Sequence, residues 1–346
     1  MSLSTPITEL FGIQHPVVLA GMFVASGPRL AAAVSNAGGL GVIGGLTLTP
    51  KQLRTQIADL KSQLVDKSSP FGVDLAIPKI GDGARKTNYD YTHGHLSELI
   101  DIIIAEKAKV FVCAIGVCPP EIVKRLHNGG VYVANMIGSP AHIPKVLAAG
   151  VDVVCAQGGE GGGHTGSTPF SVLIPAIADA CKGKLTPSGR PVCILAAGGV
   201  FDGRGLAAAL VYGAHGVWVG TRFVASVEAA APEAHKKQIV SAGFGDTTTT
   251  LIYSGRPLRV RKTPYVAEWN DTRADEIKAL TDKGIIPHAA ELEKNPKRSM
   301  EGHPFLMGDD ASMIKEVLPA KVIVESMVTD AVRALKTGSY EIRARI

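Results

Sequence analysis

The residues best suited to chemistry stand together in Ala156-Gln157-Gly158-Gly159-Glu160-Gly161-Gly162-Gly163-His164-Thr165-Gly166. His164 is the only side chain in this stretch that exchanges a proton near neutral pH. Its glycines allow positive φ and close approach of backbone to a ligand, so the loop is expected to wrap something flat or charged. His164 suits three roles: general base, hydrogen-bond donor or metal ligand. The metal role is the weakest, because no second His or carboxylate stands at ligand spacing and His93-Gly94-His95 lies in a polar, solvent-facing segment. Glu160 is a candidate partner for the imidazole. Gln157 both donates and accepts, as the edge of a heterocycle requires, or else satisfies loop backbone.

Two further glycine corners carry a different chemistry. Ala197-Gly198-Gly199-Val200 and Gly220-Thr221-Arg222 each end an apolar run and can aim N–H groups, and at Thr221 a hydroxyl, at a phosphate. Met22 and Phe23 follow the first apolar run, where they pack in the core or beside a cofactor ring. Arg256, Arg259 and Arg261 could attract an anion, although an exposed basic strand is the commoner explanation for such a run. No GxSxG elbow, P-loop or HExxH is present.

These corners need elements to position them. Eight apolar runs read as strands: His15–Met22, Leu40–Gly45, Phe71–Leu75, Val110–Ala114, Val131–Asn135, Val151–Cys155, Pro191–Ala196 and Gly216–Val219. Helix-like segments alternate with them, among them Pro28–Ala37, Pro50–Leu64, Leu96–Glu106 and Pro120–Leu126. The pattern predicts an α/β fold, a (β/α)8 TIM barrel, better than an open Rossmann sheet, whose GxGxxG should open the first helix. In such a barrel the glycine corners share the rim at the carboxyl ends of the strands. Residues 1–240 and 312–346 are assigned to the barrel, and 241–311, richer in charge, to a smaller and mostly helical inserted subdomain on the substrate side.

Composition bounds the rest. A chain of 346 residues with 46% apolar residues has ample material for a core, and its formal charge of +5 is scattered rather than blocked. Nucleic acid is therefore not an expected partner, and no apolar stretch has the length that spans a membrane. Cys113, Cys118, Cys155, Cys181 and Cys193 lack a CxxC pair and sit mostly in apolar runs, so they read as buried reduced thiols of a cytoplasmic protein. The final Ala344-Arg345-Ile346 is only distantly related to a peroxisomal tripeptide.

The glycine–histidine loop closely resembles the signature loop of the nitronate monooxygenases, formerly 2-nitropropane dioxygenases. Ala196-Ala197-Gly198-Gly199-Val200 with Asp202-Gly203-Arg204-Gly205, the Gly220-Thr221-Arg222-Phe223 run, Ala20-Gly21-Met22 and Asn36-Ala37-Gly38-Gly39-Leu40-Gly41 are similar to that family's motifs in the same order. The likeness covers residues 10–230. It implies a TIM barrel holding FMN noncovalently, with flavin contacts at Ala20, Gly21, Met22, Asp74, Gln157, Gly162, Gly163, Gly198, Gly199, Trp218, Val219, Gly220 and Thr221. His164 matches the active-site base. The implied activity is oxidation of alkyl nitronates, and of nitroalkanes, with O2 to carbonyl compounds and nitrite. Many relatives carry Asn where this chain has Asp74, and an ionised carboxylate cannot donate to the flavin ring. The same barrel and cofactor also suit an NAD(P)H-dependent quinone or enoyl-thioester reductase. A flavin-free lyase or isomerase acting on a phosphorylated metabolite is the other alternative. The oligomeric state, a homodimer among the options, is open.

Overall fold

The structure, a computed structural model, describes residues 3–337; the terminal tripeptide lies outside the described residues. Eight strands form one parallel sheet: β1 (Val17–Leu19), β2 (Gly41–Gly44), β3 (Phe71–Leu75), β4 (Val110–Cys113), β5 (Tyr132–Ile137), β6 (Val153–Gln157), β8 (Cys193–Ala197) and β9 (Gly216–Val219). Their spatial order is β1-β9-β8-β6-β5-β4-β3-β2, and a parallel bridge between Val18 and Leu40 joins the two ends into a (β/α)8 barrel. The eight expected strands are these eight, with ends shifted by a few residues.

Alternation along each strand creates two layers. Val42, Val110, Val112, Val153, Leu195 and Trp218 point inward and fill the barrel. Val17, Leu19, Val73, Phe111, Val133, Val154, Ile194 and Val219 point outward, against the surrounding helices. Strands buried on both faces read as unbroken apolar runs, which is why they stood out in the sequence. In β3 the outward set is Phe71, Val73 and Leu75, so Asp74 is turned into the barrel.

The polar start conceals a helix, Pro6–Phe11. Thr5 caps it through a reciprocal pair with Thr8, and Ile7 and Phe11, one turn apart, pack into the barrel interior. Burying these two side chains contributes about 1.5–3 kcal/mol each.

The segment from 247 to 313 holds more helix than strand, and a small sheet at its start is the feature the expectation lacked. It opens with an antiparallel hairpin, β10 (Thr247–Thr250) and β11 (Leu258–Arg261), and β11 pairs with β7 (Gly163–His164), a two-residue strand in the middle of the glycine loop. Four consecutive Thr residues and the alternating Leu-Arg-Val-Arg have β-branched content and period two, and neither suits a helix. Three helices follow, Pro264–Thr272, Ala274–Thr281 and Pro287–Lys294. They share a satellite core with the hairpin: Ile252, Leu258, Val260, Tyr265, Val266, Trp269 and Ile277.

Candidate active site

The glycine–histidine loop leaves the carboxyl end of β6 and is held on three sides. β11 fixes Gly163 and His164 by strand pairing. Gln157 at the end of β6 donates through Nε2 to the His164 carbonyl at 2.7 Å, so it serves the loop backbone. Asp309 donates its N–H to the Glu160 carbonyl at 2.9 Å. Gly162 is required by close approach: a β-carbon there would lie 2.6 Å from the Met307 carbonyl carbon. The abundance of glycine thus reflects crowding by neighbouring backbone. Glu160 does not pair with the imidazole. Both its carboxylate oxygens accept the Phe170 N–H at 3.0 Å, where the Phe170–Cys181 helix begins and its first N–H groups lack intrahelical partners.

His164 is partly buried, and its Nε2 lies 2.8 Å from the Ser254 hydroxyl. Burial, and then the charge of Arg256, push its pKa down to about 4. The ring is therefore neutral at pH 7, with Nδ1 left over. If Nε2–H donates to Ser254, Nδ1 is a free base. The Arg256 carbonyl, 3.5 Å from the Ser254 hydroxyl, is placed to take the serine proton in turn.

Beside His164 lies a cavity of about 380 Å³ at the carboxyl ends of the strands. Of the residues singled out in the sequence, Ala20, Gly21, Met22, Asp74, Gln157, Gly162, Gly163, His164, Gly198, Gly199, Trp218, Gly220 and Thr221 all line it. Val219 does not: its side chain belongs to the strand–helix layer and its carbonyl accepts the Ala20 N–H. The glycine corner after β8 takes φ of 89° at Gly198 and 75° at Gly199, where only glycine is unstrained.

Several lining residues carried no sequence signal. Tyr91 comes from the long segment after β3, and Ile115 and Met136 from the ends of β4 and β5. Asp310 comes from the last stretch of the insertion, in an otherwise unremarkable Gly308-Asp309-Asp310. Asp74 and Asp310 are buried, and Asp74 Oδ2 and Asp310 Oδ1 have no hydrogen-bond partner. Burial raises the Asp74 carboxyl well above its ordinary range. Burial also raises Asp310, to about 7, against the opposing pull of the Thr221 hydroxyl. A cavity lined by unpartnered polar atoms and glycine corners fits a planar cofactor with hydrogen-bonding edges and an anionic tail. No group of His, Cys, Asp and Glu able to hold a metal occurs among the described residues, and all five cysteines are free and buried.

Outside the cavity a wider cleft of about 940 Å³ opens, lined by Arg85, Arg256, Arg259, His142 and Ser167 among others. The two spaces share Ala114, Ile115, Met136, Gln157 and His164. The imidazole therefore stands at the doorway between an inner compartment and an outer one.

A (β/α)8 barrel with a cavity at the carboxyl ends of its strands and a neutral His at its mouth has the site layout of a TIM-barrel enzyme. The profile of the nitronate monooxygenase family matches residues 4–330, and the chain belongs to that family. It is 34% identical to a 5-hydroxy-7a-methyl-1-oxo-octahydro-1H-indene-4-carboxyl-CoA dehydrogenase of Mycobacterium tuberculosis, over 98% of this chain and 99% of that one. Among solved structures, FabK from Thermotoga maritima matches with a TM-score of 0.78 and 31% identity, covering 97% of this chain and 98% of the other. A nitroalkane oxidase from Streptomyces ansochromogenes matches with a TM-score of 0.80 and 25% identity, covering 96% and 99%.

Proposed function

We propose that this enzyme is an FMN-dependent oxidoreductase acting on carbon acids, and that it oxidises alkyl nitronates with O2 to carbonyl compounds and nitrite. The observation that carries the reading is the position of His164, a neutral base in the wall between a cofactor-sized cavity and an open cleft. The flavin supplies the electron chemistry when bound. Ala20, Gly21, Met22, Asp74, Gln157, Gly162, Gly163 and Trp218 would surround it, and Gly198, Gly199, Gly220 and Thr221 would hold its phosphate. Asp74, kept neutral by burial, both donates and accepts, as Asn does in relatives, so the departure from the family pattern leaves this contact available.

His164 removes the α-proton of a neutral nitroalkane through Nδ1, while Ser254 holds the ring. A nitronate already ionised does not need that step. Apolar Ala114, Ile115 and Met136 at the doorway limit water around the reacting carbon. Buried thiols support a reducing compartment, and we assign the protein to the cytoplasm.

The test is a visible spectrum of the purified protein, identification of the released chromophore, and nitrite release from alkyl nitronates without NAD(P)H. A colourless protein would reject the flavin. A yellow protein that consumes NAD(P)H with a quinone or enoyl thioester and releases no nitrite would reject the nitronate reaction.

A further inference from the structure

Arg85, Arg256 and Arg259 line the outer cleft, and their hydrogen-bonding capacity is used very differently. Arg259 is committed: Nη1 pairs with Asp309 at 2.8 Å and Nε donates to the Gly159 carbonyl at 3.0 Å. Arg85 is exposed and reaches only the Gly255 carbonyl, at 3.5 Å. Arg256 is half-buried, and among the described residues its side chain meets a neutral acceptor and no carboxylate.

The position of Arg256 is set by the elements that hold the base. Strand register places Leu258 against His164, and the Pro257 carbonyl accepts the Thr165 N–H at 3.2 Å. The Ser254 hydroxyl that meets His164 Nε2 also accepts the Arg256 N–H, at 3.4 Å. Arg256 therefore starts beside the imidazole, and its charge is felt there as a lowering of the His164 pKa. Its far end is tied to the segment after β3, where Nε and Nη2 donate to Asn88 Oδ1 at 3.1 and 2.8 Å. Asn88 Nδ2 donates to the Lys79 carbonyl at 2.7 Å, which fixes the amide with its oxygen toward the arginine.

These bonds leave a defined fork. Asn88 takes the Nε–Nη2 edge of the planar guanidinium, whereas the Nη1–Nη2 edge has no partner among the described residues. That edge suits a planar group with two oxygens. Arg85 adds repulsion rather than neutralisation, so an anion in the fork is favoured.

A nitro group has the required shape. When a nitroalkane loses its α-proton to His164 Nδ1, the C–H electron pair becomes the C=N bond and the negative charge settles on the two nitro oxygens. A cation beside a neutral base serves that step twice: it stabilises the anion that forms, and it keeps the imidazole free to accept the proton.

We propose, on the nitronate reading above, that Arg256 is a second catalytic residue of this site, its open guanidinium edge receiving both nitro oxygens while His164 faces the α-carbon. Asn88 is the positioning residue that aims it.

Propanoate, a planar carboxylate with as many heavy atoms as ethyl nitronate, is the probe, and propanamide is its neutral counterpart. Calorimetric titration of the purified full-length protein should show propanoate binding. Arg256→Gln should weaken it about tenfold or more, the scale of one charge-assisted hydrogen bond, and leave propanamide unaltered. In steady state Arg256→Gln should raise KM for ethyl nitronate and lower kcat/KM for nitroethane about 10²–10³-fold. Loss of the charge should also move the acidic limb of the nitroethane profile up from about pH 4. Arg256→Lys, which keeps the charge without the fork, should return the limb and only part of the propanoate affinity. Absence of propanoate binding to the wild type, an unchanged propanoate affinity in Arg256→Gln, or an unmoved limb overturns the assignment. Should Arg256→Gln not fold, wild-type propanoate affinity and nitroethane kinetics in Arg256→Lys overturn it equally. A protein that binds propanoate through Arg256 and releases no nitrite fails the nitronate reading alone. One that releases nitrite and is indifferent to Arg256→Gln fails this assignment alone.

Discussion

Asp310→Asn is the perturbation whose sign follows most directly from the structure. The carboxyl is 8% exposed, Oδ1 has no partner, and burial raises its pKa from 3.8 to about 7. Below pH 3.8 the folded and unfolded chains both hold the proton and the site is neutral to stability. Between 3.8 and about 7 only the folded chain holds it, so stability falls as pH rises and levels off above the folded value. A window of about three pH units at about 1.4 kcal/mol each sets an upper limit of about 4 kcal/mol at neutral pH. Asn is nearly isosteric with the neutral acid and does not ionise. The variant should therefore match the wild type near pH 4 and exceed it by about 2–4 kcal/mol at pH 8. Urea unfolding of both proteins at pH 4, 6 and 8 measures this difference, and other titrating groups cancel in it. Thr221 and Gly198 line the same cavity, so FMN affinity of the wild type should also decline above pH 7 and that of the variant should not. A stability difference that stays constant across the three pH values would refute the argument that burial keeps this acid protonated.

His164→Asn should retain flavin and lower kcat/KM for neutral nitroalkanes by about 10²–10⁴, with a smaller loss for preformed nitronates; equal losses on the two substrates would remove the base role. In the wild type the acidic limb of that profile should centre near pH 4, and a limb near 6.5 would show that the ring is not desolvated. Ser254→Ala should reduce kcat for nitroalkanes about tenfold, the scale of one hydrogen bond, with little change in flavin content. Gly162→Ala should push the loop off Met307 and lower flavin occupancy, read as the ratio of visible to ultraviolet absorbance. Asp74→Asn should preserve the flavin spectrum at neutral pH, whereas Asp74→Ala should shift it; identical spectra would mean that the carboxyl does not touch the ring.

The barrel was legible because strands buried on both faces leave long β-branched runs, and βα repetition fixes their order. The glycine corners were legible because glycine density at strand ends marks crowded or positive-φ backbone. The side chain of Val219 falls outside the cavity because motif likeness names a run of residues, and alternation along β9 sends every second side chain away from it. The partner of His164 was not legible, since Ser254 lies 90 positions away and nothing local marks it. Asp310 was equally hidden, because its role depends on burial, a property of the folded chain. A basic strand at residues 256–261 was legible from its alternation, but its pairing with Thr247–Thr250 and with Gly163–His164 was not, because the partner strands are set by the fold.

Pairing of β7 with β11 has a bearing on biosynthesis. All eight barrel strands have been translated by Val219, but the imidazole gains its neighbouring strand only once Leu258 has emerged, and Met307 and Asp309 brace the loop later still. A nascent or truncated chain ending shortly after Val219 would hold every strand of the scaffold and no working catalytic centre. Exchange of the hairpin between relatives would, for the same reason, retune proton transfer without altering a single strand of the barrel.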